Sequence, residues 1–265
     1  MTVSIAVTSG KGGVGKTNCA VNLSMSLTKM GKKVVLFDAD FGMANAHILL
    51  GTNPKYTAAD FLQGTAELEN ILSEGPSGLQ FIAGGSGLLE LLNLDNHARY
   101  QMLQSLSELE NKIDYLVVDT PAGASESTLF FASAVSMPLV VLVAEPTSFL
   151  DAYALIKAAH IEKNLQNFSV VINMANGPGE AKNNFDKFFD ICRRFLDVNL
   201  HYAGMIPLSH AIRRSIVKRE PIVTSQPSSK ETKAFLALGK EMTNAPINKH
   251  NGIRFFHRDV EAESL

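Results

Sequence analysis

The chain has 265 residues, 46% of them apolar and 19% charged, which is ordinary for a globular protein and enough for a full hydrophobic core. The 24 basic and 26 acidic residues leave a formal charge of −2, so no global field draws the chain to nucleic acid or anionic lipid. Its two cysteines, Cys19 and Cys192, lie far apart and exclude a disulfide framework, and the composition excludes a disordered, collagen-like or coiled-coil chain.

The first predicted strand, residues 3–8, is a short apolar run with no basic residue before it, which reads as buried sheet and not as a secretory leader. A glycine-rich turn follows, then a helix over residues 16–30 that Gly31 is placed to stop. The second strand, 33–37, runs into two aspartates. A third strand at 79–83 and a helix at 97–112 lead to a fourth strand at 114–119, followed by a helix at 125–134. The longest apolar stretch, 134–144, is interrupted by Ser136 and Pro138 and falls below the ~18 residues that span a bilayer, so 138–144 reads as a fifth strand. Beyond it come a helix at 148–164, a strand at 168–174, a helix at 180–196, a strand at 201–205 and a helix at 228–242.

The strand segments scarcely alternate in polarity, as strands buried on both faces should. Strands alternating with helices predict an α/β fold: a single doubly wound domain over residues 1–246, its mostly parallel sheet of about seven or eight strands flanked by helices on both faces. Residues 247–265 form a tail. In such a sheet the ligand site lies beyond the carboxyl ends of the strands.

The turn after the first strand reads Gly10-Lys11-Gly12-Gly13-Val14-Gly15-Lys16-Thr17, a phosphate-binding loop in the required strand–loop–helix setting. Its backbone N–H groups can curl around phosphate oxygens, and the following helix adds unpaired N–H groups and the positive end of its dipole. Lys16 is expected on the β- and γ-phosphates and the Thr17 hydroxyl on Mg²⁺. The fourth strand ends Leu116-Val117-Val118-Asp119 before Thr120-Pro121-Ala122-Gly123, the pattern of a carboxylate that reaches Mg²⁺ through water beside a mobile switch. A guanine-reading N/T-K-x-D run is missing; residues 173–176 read Asn-Met-Ala-Asn, which favours ATP.

Lys11 departs from the ordinary loop, and with it the loop resembles the deviant Walker A motif of the MinD/ParA ATPases. Residues 38–51, DADFGMANAHILLG, and 145–157, EPTSFLDAYALIK, are similar to the FlhG/FleN branch, the regulators of flagellar number and placement. The resemblance implies an ATP-sandwich homodimer in which Lys11 crosses to the partner's nucleotide. It also implies that Lys11, Lys16 and Asp40 act in hydrolysis, with Asp40 orienting the attacking water, and that Asp38 touches the signature lysine or the metal shell. Thr17, Asp40 and Asp119 would surround the metal. Gly10 through Thr17 with Asn18 and Asp38 would bind the nucleotide, and Asn173 with the backbone at Pro207 and Leu208 would hold adenine.

The same resemblance implies a flagellar partner: a GTPase of the FlhF kind, a switch component, or an activator of flagellar genes. Many members of that branch carry an extension before the first strand that activates the GTPase; here the strand begins near Val3. The acidic residue usual after the Ile206-Pro207 pair is replaced by Leu208-Ser209. Ile253, Phe256 and Val260 would share one helical face of the tail, with Lys249, Arg254 and Arg258 available to anionic lipid, so the expected location is cytoplasmic with reversible contact to the inner membrane face. The cluster Arg213, Arg214, Lys218 and Arg219 reads as a solvated helix face, and nucleic acid is not an expected partner. The alternative function is positioning of the division site or of DNA, as MinD and ParA do; a nucleotide-sensing scaffold without hydrolysis fits the complete acidic and basic set least well.

Overall fold

The computed structural model describes residues 2–42, 44–85, 96–248 and 254–256. Eight strands form one sheet. Across it lie β3 (Ser73–Glu74), β4 (Gln80–Ile82), β2 (Val34–Asp38), β5 (Tyr115–Asp119), β1 (Val3–Thr8), β6 (Met137–Val143), β7 (Asn167–Ala175) and β8 (Asn199–Pro207), in that order. Every neighbouring pair is parallel except β3 with β4. The doubly wound α/β architecture expected from the sequence is present. The added piece is β3, two residues long and antiparallel at the edge, too short to leave a periodic signal.

The strand pattern sorts side chains into two layers. Ile5 and Val7 face one side with Tyr115, Val117, Leu139 and Val141. Ala6 faces the other with Leu116 and Val118, as do Val140 and Leu142 further along the sheet. All of β5 and β6 is buried, which is why these segments read as unbroken apolar runs. On the first side pack α1 (Lys16–Lys29), α9 (His210–Lys218), α10 (Ile222–Ser225) and α11 (Lys230–Asn244). The second side carries α3 (Ala58–Leu62), α4 (Leu68–Ile71), α5 (Asn96–Ser107), α6 (Glu126–Ala134), α7 (Pro146–Lys163) and α8 (Pro178–Phe195).

One boundary differs from the sequence pattern for a visible reason. α5 ends at Ser107 although apolar periodicity continues to residue 112. The chain turns instead, Asn111 takes φ +63°, and the Asn111 N–H donates to Thr2 Oγ1 at 3.0 Å. α2 (Ala46–Leu49) is one turn long, and the N–H groups of Asn45 and Ala46 at its start donate to the carboxylate of Asp38.

At the opposite end of the sheet the last described residues return to the body. The Asn248 side chain bonds both the N–H and the carbonyl of Asn167. The Phe255 N–H donates to Ala134 O, its ring stacks on Phe131 at 6.2 Å, and both Phe255 and Phe256 are buried. Phe256, which the sequence offers to a lipid-facing stripe, is thus packed against the protein here; Ile253 and Val260 lie outside the described residues. Among the described residues no helix is long and apolar enough to cross a membrane.

Candidate functional site

β1, β2 and β5 are neighbours, so their carboxyl ends bring together three chemically loaded turns. The loop after β1 enters α1 through Gly15, whose φ of +85° and lack of Cβ suit the left-handed turn that opens the helix. A Cβ there would also lie 2.5 Å from Asn173 Nδ2. Gly10 is required for a different reason: a Cβ would sit 2.1 Å from the Asp151 carbonyl carbon, because the first turns of α7 rest directly on the loop backbone. No acidic residue occupies the first turn of α1, so its N–H groups and dipole remain available to an anion.

Lys16 is buried at the start of α1, with its Nζ 2.6 Å from Asp119 Oδ1. Asp119 and Asp38 are register partners across β5 and β2, and both are fully buried. Asp38 accepts three backbone N–H bonds, from Asp40 at 3.1 Å, Asn45 at 2.8 Å and Ala46 at 2.9 Å. It therefore braces the segment that carries Asp40. Burial pushes its carboxyl up to about 7, helped by Asp119 and opposed by the Ala46 and Asp40 N–H groups and Lys16. Burial also raises Asp119, against the Lys16 ammonium and the Thr17 hydroxyl beside it, while Asp40 pushes the same way as burial.

Two buried carboxylates thus share one ammonium, and Asp119 Oδ2 is buried with no hydrogen-bond partner among the described residues. A cluster short of positive charge, with an orphaned hard oxygen next to Thr17 and Asp40, fits Mg²⁺ and the water it carries. Among the described residues no group of three or more His, Cys, Asp and Glu side chains could hold a metal ion by itself, so Mg²⁺ here would need ligands from Thr17, water and the nucleotide. Cys19, just inside α1, has its thiol pushed up to about 12 by burial and is core filler, not a nucleophile.

Lys11 does something different. Its Nζ reaches Glu145 Oε2 at 2.9 Å and Thr147 Oγ1 at 3.1 Å, at the start of α7 and away from Lys16. Neither end of the ion pair is deeply buried.

On the other flank of the loop is a cavity of about 470 Å³. It brings together Gly15, Asn18, Asn173, Pro207 and Leu208, all named from the sequence as nucleotide-binding candidates, with Met174. Asn173 donates from Nδ2 to Val14 O at 2.7 Å and accepts at Oδ1 from the Met174 N–H, so its amide also ties the phosphate loop to β7. Met174 adopts φ +55°, which turns the chain at the cavity wall. Arg213 and Ile216 of α9 line the same cavity. Arg213 is exposed, as the sequence pattern predicts for a solvated helix face, and its place beside the cavity follows from the position of α9 after β8. Glu145 lay in a quoted motif, but its bond to Lys11 spans 134 residues and left no local signal.

A parallel sheet with a phosphate loop, paired acidic strand ends and a base-sized cavity defines a nucleotide-binding P-loop protein. The chain belongs to the CobQ/CobB/MinD/ParA nucleotide-binding family, whose domain matches residues 5–222. It is 40% identical over 254 residues to the antiactivator FleN of Pseudomonas aeruginosa, covering 95% of this chain and 91% of FleN. It is 35% identical over 217 residues to the flagellum site-determining protein YlxH of Helicobacter pylori, covering 82% and 73%. Its fold matches the septum site-determining protein MinD of Pyrococcus horikoshii, solved with Mg-ADP, with a TM-score of 0.76 at 25% identity over 91% of this chain and 96% of that one.

Proposed function

We propose that this chain is an ATP-driven dimerising switch that controls flagellar number, flagellar placement or flagellar gene expression. The observation that carries the reading is the division of labour between the loop's two lysines. Lys16 is buried at its own acidic pair, whereas Lys11 is held out at the edge of the site.

In this mechanism Lys16 leaves Asp119 for the β- and γ-phosphates of ATP, and the N–H groups of Gly12 through Thr17 close around them. Thr17 and the freed Asp119, with Asp40 nearby, would hold Mg²⁺, which would supply charge neutralisation on the phosphate oxygens. Asp40, braced by Asp38, orients the attacking water. Lys11 exchanges Glu145 for the γ-phosphate of a second copy and stabilises charge there in the transition state. Asn173 and the backbone at Pro207 and Leu208 surround adenine. Loss of the γ-phosphate releases Lys11 and the segments around Asp40 and Gly123, and the dimer separates.

The name of the Pseudomonas relative, an antiactivator, favours a flagellar transcription activator as partner; a GTPase of the FlhF kind or a flagellar switch component are the other members of the class. Work at a flagellar base calls for a cytoplasmic protein that visits the membrane, and the segment around Phe255 and Phe256 would have to leave the body for the tail to take part. The test is size measurement with ATP on Asp40→Ala, where hydrolysis is blocked. A stable dimer is expected, returning to monomer when Lys11→Ala is added. An Asp40→Ala protein that binds ATP and stays monomeric overturns the reading.

A further inference from the structure

Two asparagines lie one turn apart on the same face of α1, and their polarity is fixed by backbone groups. Asn22 is 1% exposed. Its Oδ1 accepts from the Val223 N–H at 3.3 Å, one of the otherwise unpaired donors at the start of α10. Its Nδ2 donates to Asn18 O at 3.0 Å and to Asn18 Oδ1 at 2.9 Å. A backbone N–H can only donate and a backbone carbonyl can only accept, so the Asn22 amide has one permitted orientation. That orientation presents an N–H₂ group to Asn18, whose own amide must then turn its oxygen inward. None of the hydrogen bonds among the described residues uses Asn18 Nδ2, and Asn18 lines the cavity beside the phosphate loop.

We infer that Asn22 is a positioning residue for nucleotide binding, which through Asn18 presents an amide N–H donor, and no carbonyl oxygen, to the ribose and α-phosphate region of the nucleotide. The inference rests on the nucleotide reading of the site. Asn18 directly follows Thr17, so it stands at the helix N-terminus between the metal side and the base side. In that stretch the phosphate oxygens and the sugar's ring oxygen can only accept, and the sugar hydroxyls accept as readily as they donate. A donor there adds a charge-assisted hydrogen bond, whereas an oxygen would oppose a phosphate. The relay also joins α10, and through it the α9–α10 segment, to the nucleotide.

Asn22→Asp tests this at constant size. The carboxylate still accepts from Val223, but it has no N–H to offer Asn18, so Asn18 turns over and points its oxygen into the cavity. Mg-ADP affinity, measured by titration calorimetry, is expected to fall about tenfold or more. In an Asn18→Thr background, where a hydroxyl can rotate to donate, the same substitution is expected to change affinity less than about twofold. Asn18→Asp keeps the inward bond from Asn22 and replaces only the outward donor, so it should show the loss with an intact fold. It decides the matter if Asn22→Asp does not fold.

Unchanged Mg-ADP affinity in Asn18→Asp overturns the inference. So does an equal loss from Asn22→Asp with Asn18 and with Thr at position 18. Competition by AMP and adenosine separates the acceptors: a loss shared by AMP but not adenosine assigns the donor to the α-phosphate, and a loss shared by both assigns it to the sugar. Wild-type protein that binds no Mg-ADP removes the nucleotide reading itself, a separate result.

Discussion

The two lysines of the phosphate loop lie five residues apart in sequence and obey opposite rules. Lys16 is almost wholly buried, so its charge must be met at close range, and Asp119 meets it at 2.6 Å inside a low-dielectric cluster. Lys11 is 38% exposed and its partner Glu145 is 57% exposed, so water covers the alternatives and the bond is readily exchanged. A buried cation serves as a fixed part of the site. An exposed one held by a weak bond can move to a new partner, which is what a contribution to a second molecule requires.

The sharpest way to break this contrast is at the buried end. Lys16→Ala leaves Asp119 and Asp38 together with no cation, and removing one member of a buried pair costs about 3–5 kcal/mol. Nucleotide binding should disappear as well, but the loss of stability must be present before any nucleotide is added. Denaturant unfolding of the nucleotide-free protein reads it; an unchanged midpoint would mean the cluster is relieved by water and the contrast is false. Gly10→Ala comes next. The added methyl meets the backbone at Asp151, so α7 must shift, at about 1–3 kcal/mol, and Glu145 moves with it. Calorimetric melting checks the stability. Nucleotide affinity that stays at the wild-type level would show that α7 and the loop are not mechanically joined.

These features were legible in the sequence to different degrees. The run Tyr115-Leu116-Val117-Val118-Asp119 announces a buried strand with a carboxylate at its end, and the glycine–lysine loop needs only its own spacing to be read. That Asp38 and Asp119 stand side by side needs the sheet order, because the two residues meet through strands joined across more than seventy residues of chain. Phe255 and Phe256 show an apolar pair near the end of the chain, but whether they meet lipid or Phe131 depends on a space beside α6 that no periodicity encodes. Asn18 and Asn22 are a partial exception. Two asparagines four apart in the stretch of α1 that is buried break local consistency, a sign that something outside the helix needs them.

A smaller effect is expected from acidity, and it sharpens the buried half of the comparison. The Asp38 carboxyl titrates near 7 in the folded chain against 3.8 for an ordinary aspartate. Between those values the folded chain keeps a proton that the unfolded chain has lost, so this group's contribution to stability is full below about pH 4, falls as pH rises and is gone above about pH 7. Asp38→Asn carries no charge to titrate and keeps one oxygen for the Asn45 and Ala46 N–H groups, losing the bond from the Asp40 N–H. Without nucleotide its stability relative to the wild type should be highest above about pH 7 and fall as the pH drops toward about 4. Urea unfolding across that range measures the difference, and a gap independent of pH would show that Lys16 and solvent keep Asp38 charged throughout.

The smallest effect belongs to the exposed pair. Glu145→Gln removes the charge that holds Lys11 and leaves its size and the Thr147 hydroxyl in place. Because both groups are open to solvent, stability should change by no more than about 0.5 kcal/mol, and nucleotide affinity of the monomer should not change. The ammonium, however, no longer has a carboxylate to leave before reaching a second copy. In the Asp40→Ala protein, adding Glu145→Gln should therefore lower the protein concentration at which ATP gives half dimer, as read by light scattering. A raised threshold would show instead that Glu145 guides Lys11 into the dimer, so the sign of this one shift distinguishes a resting place from a guide.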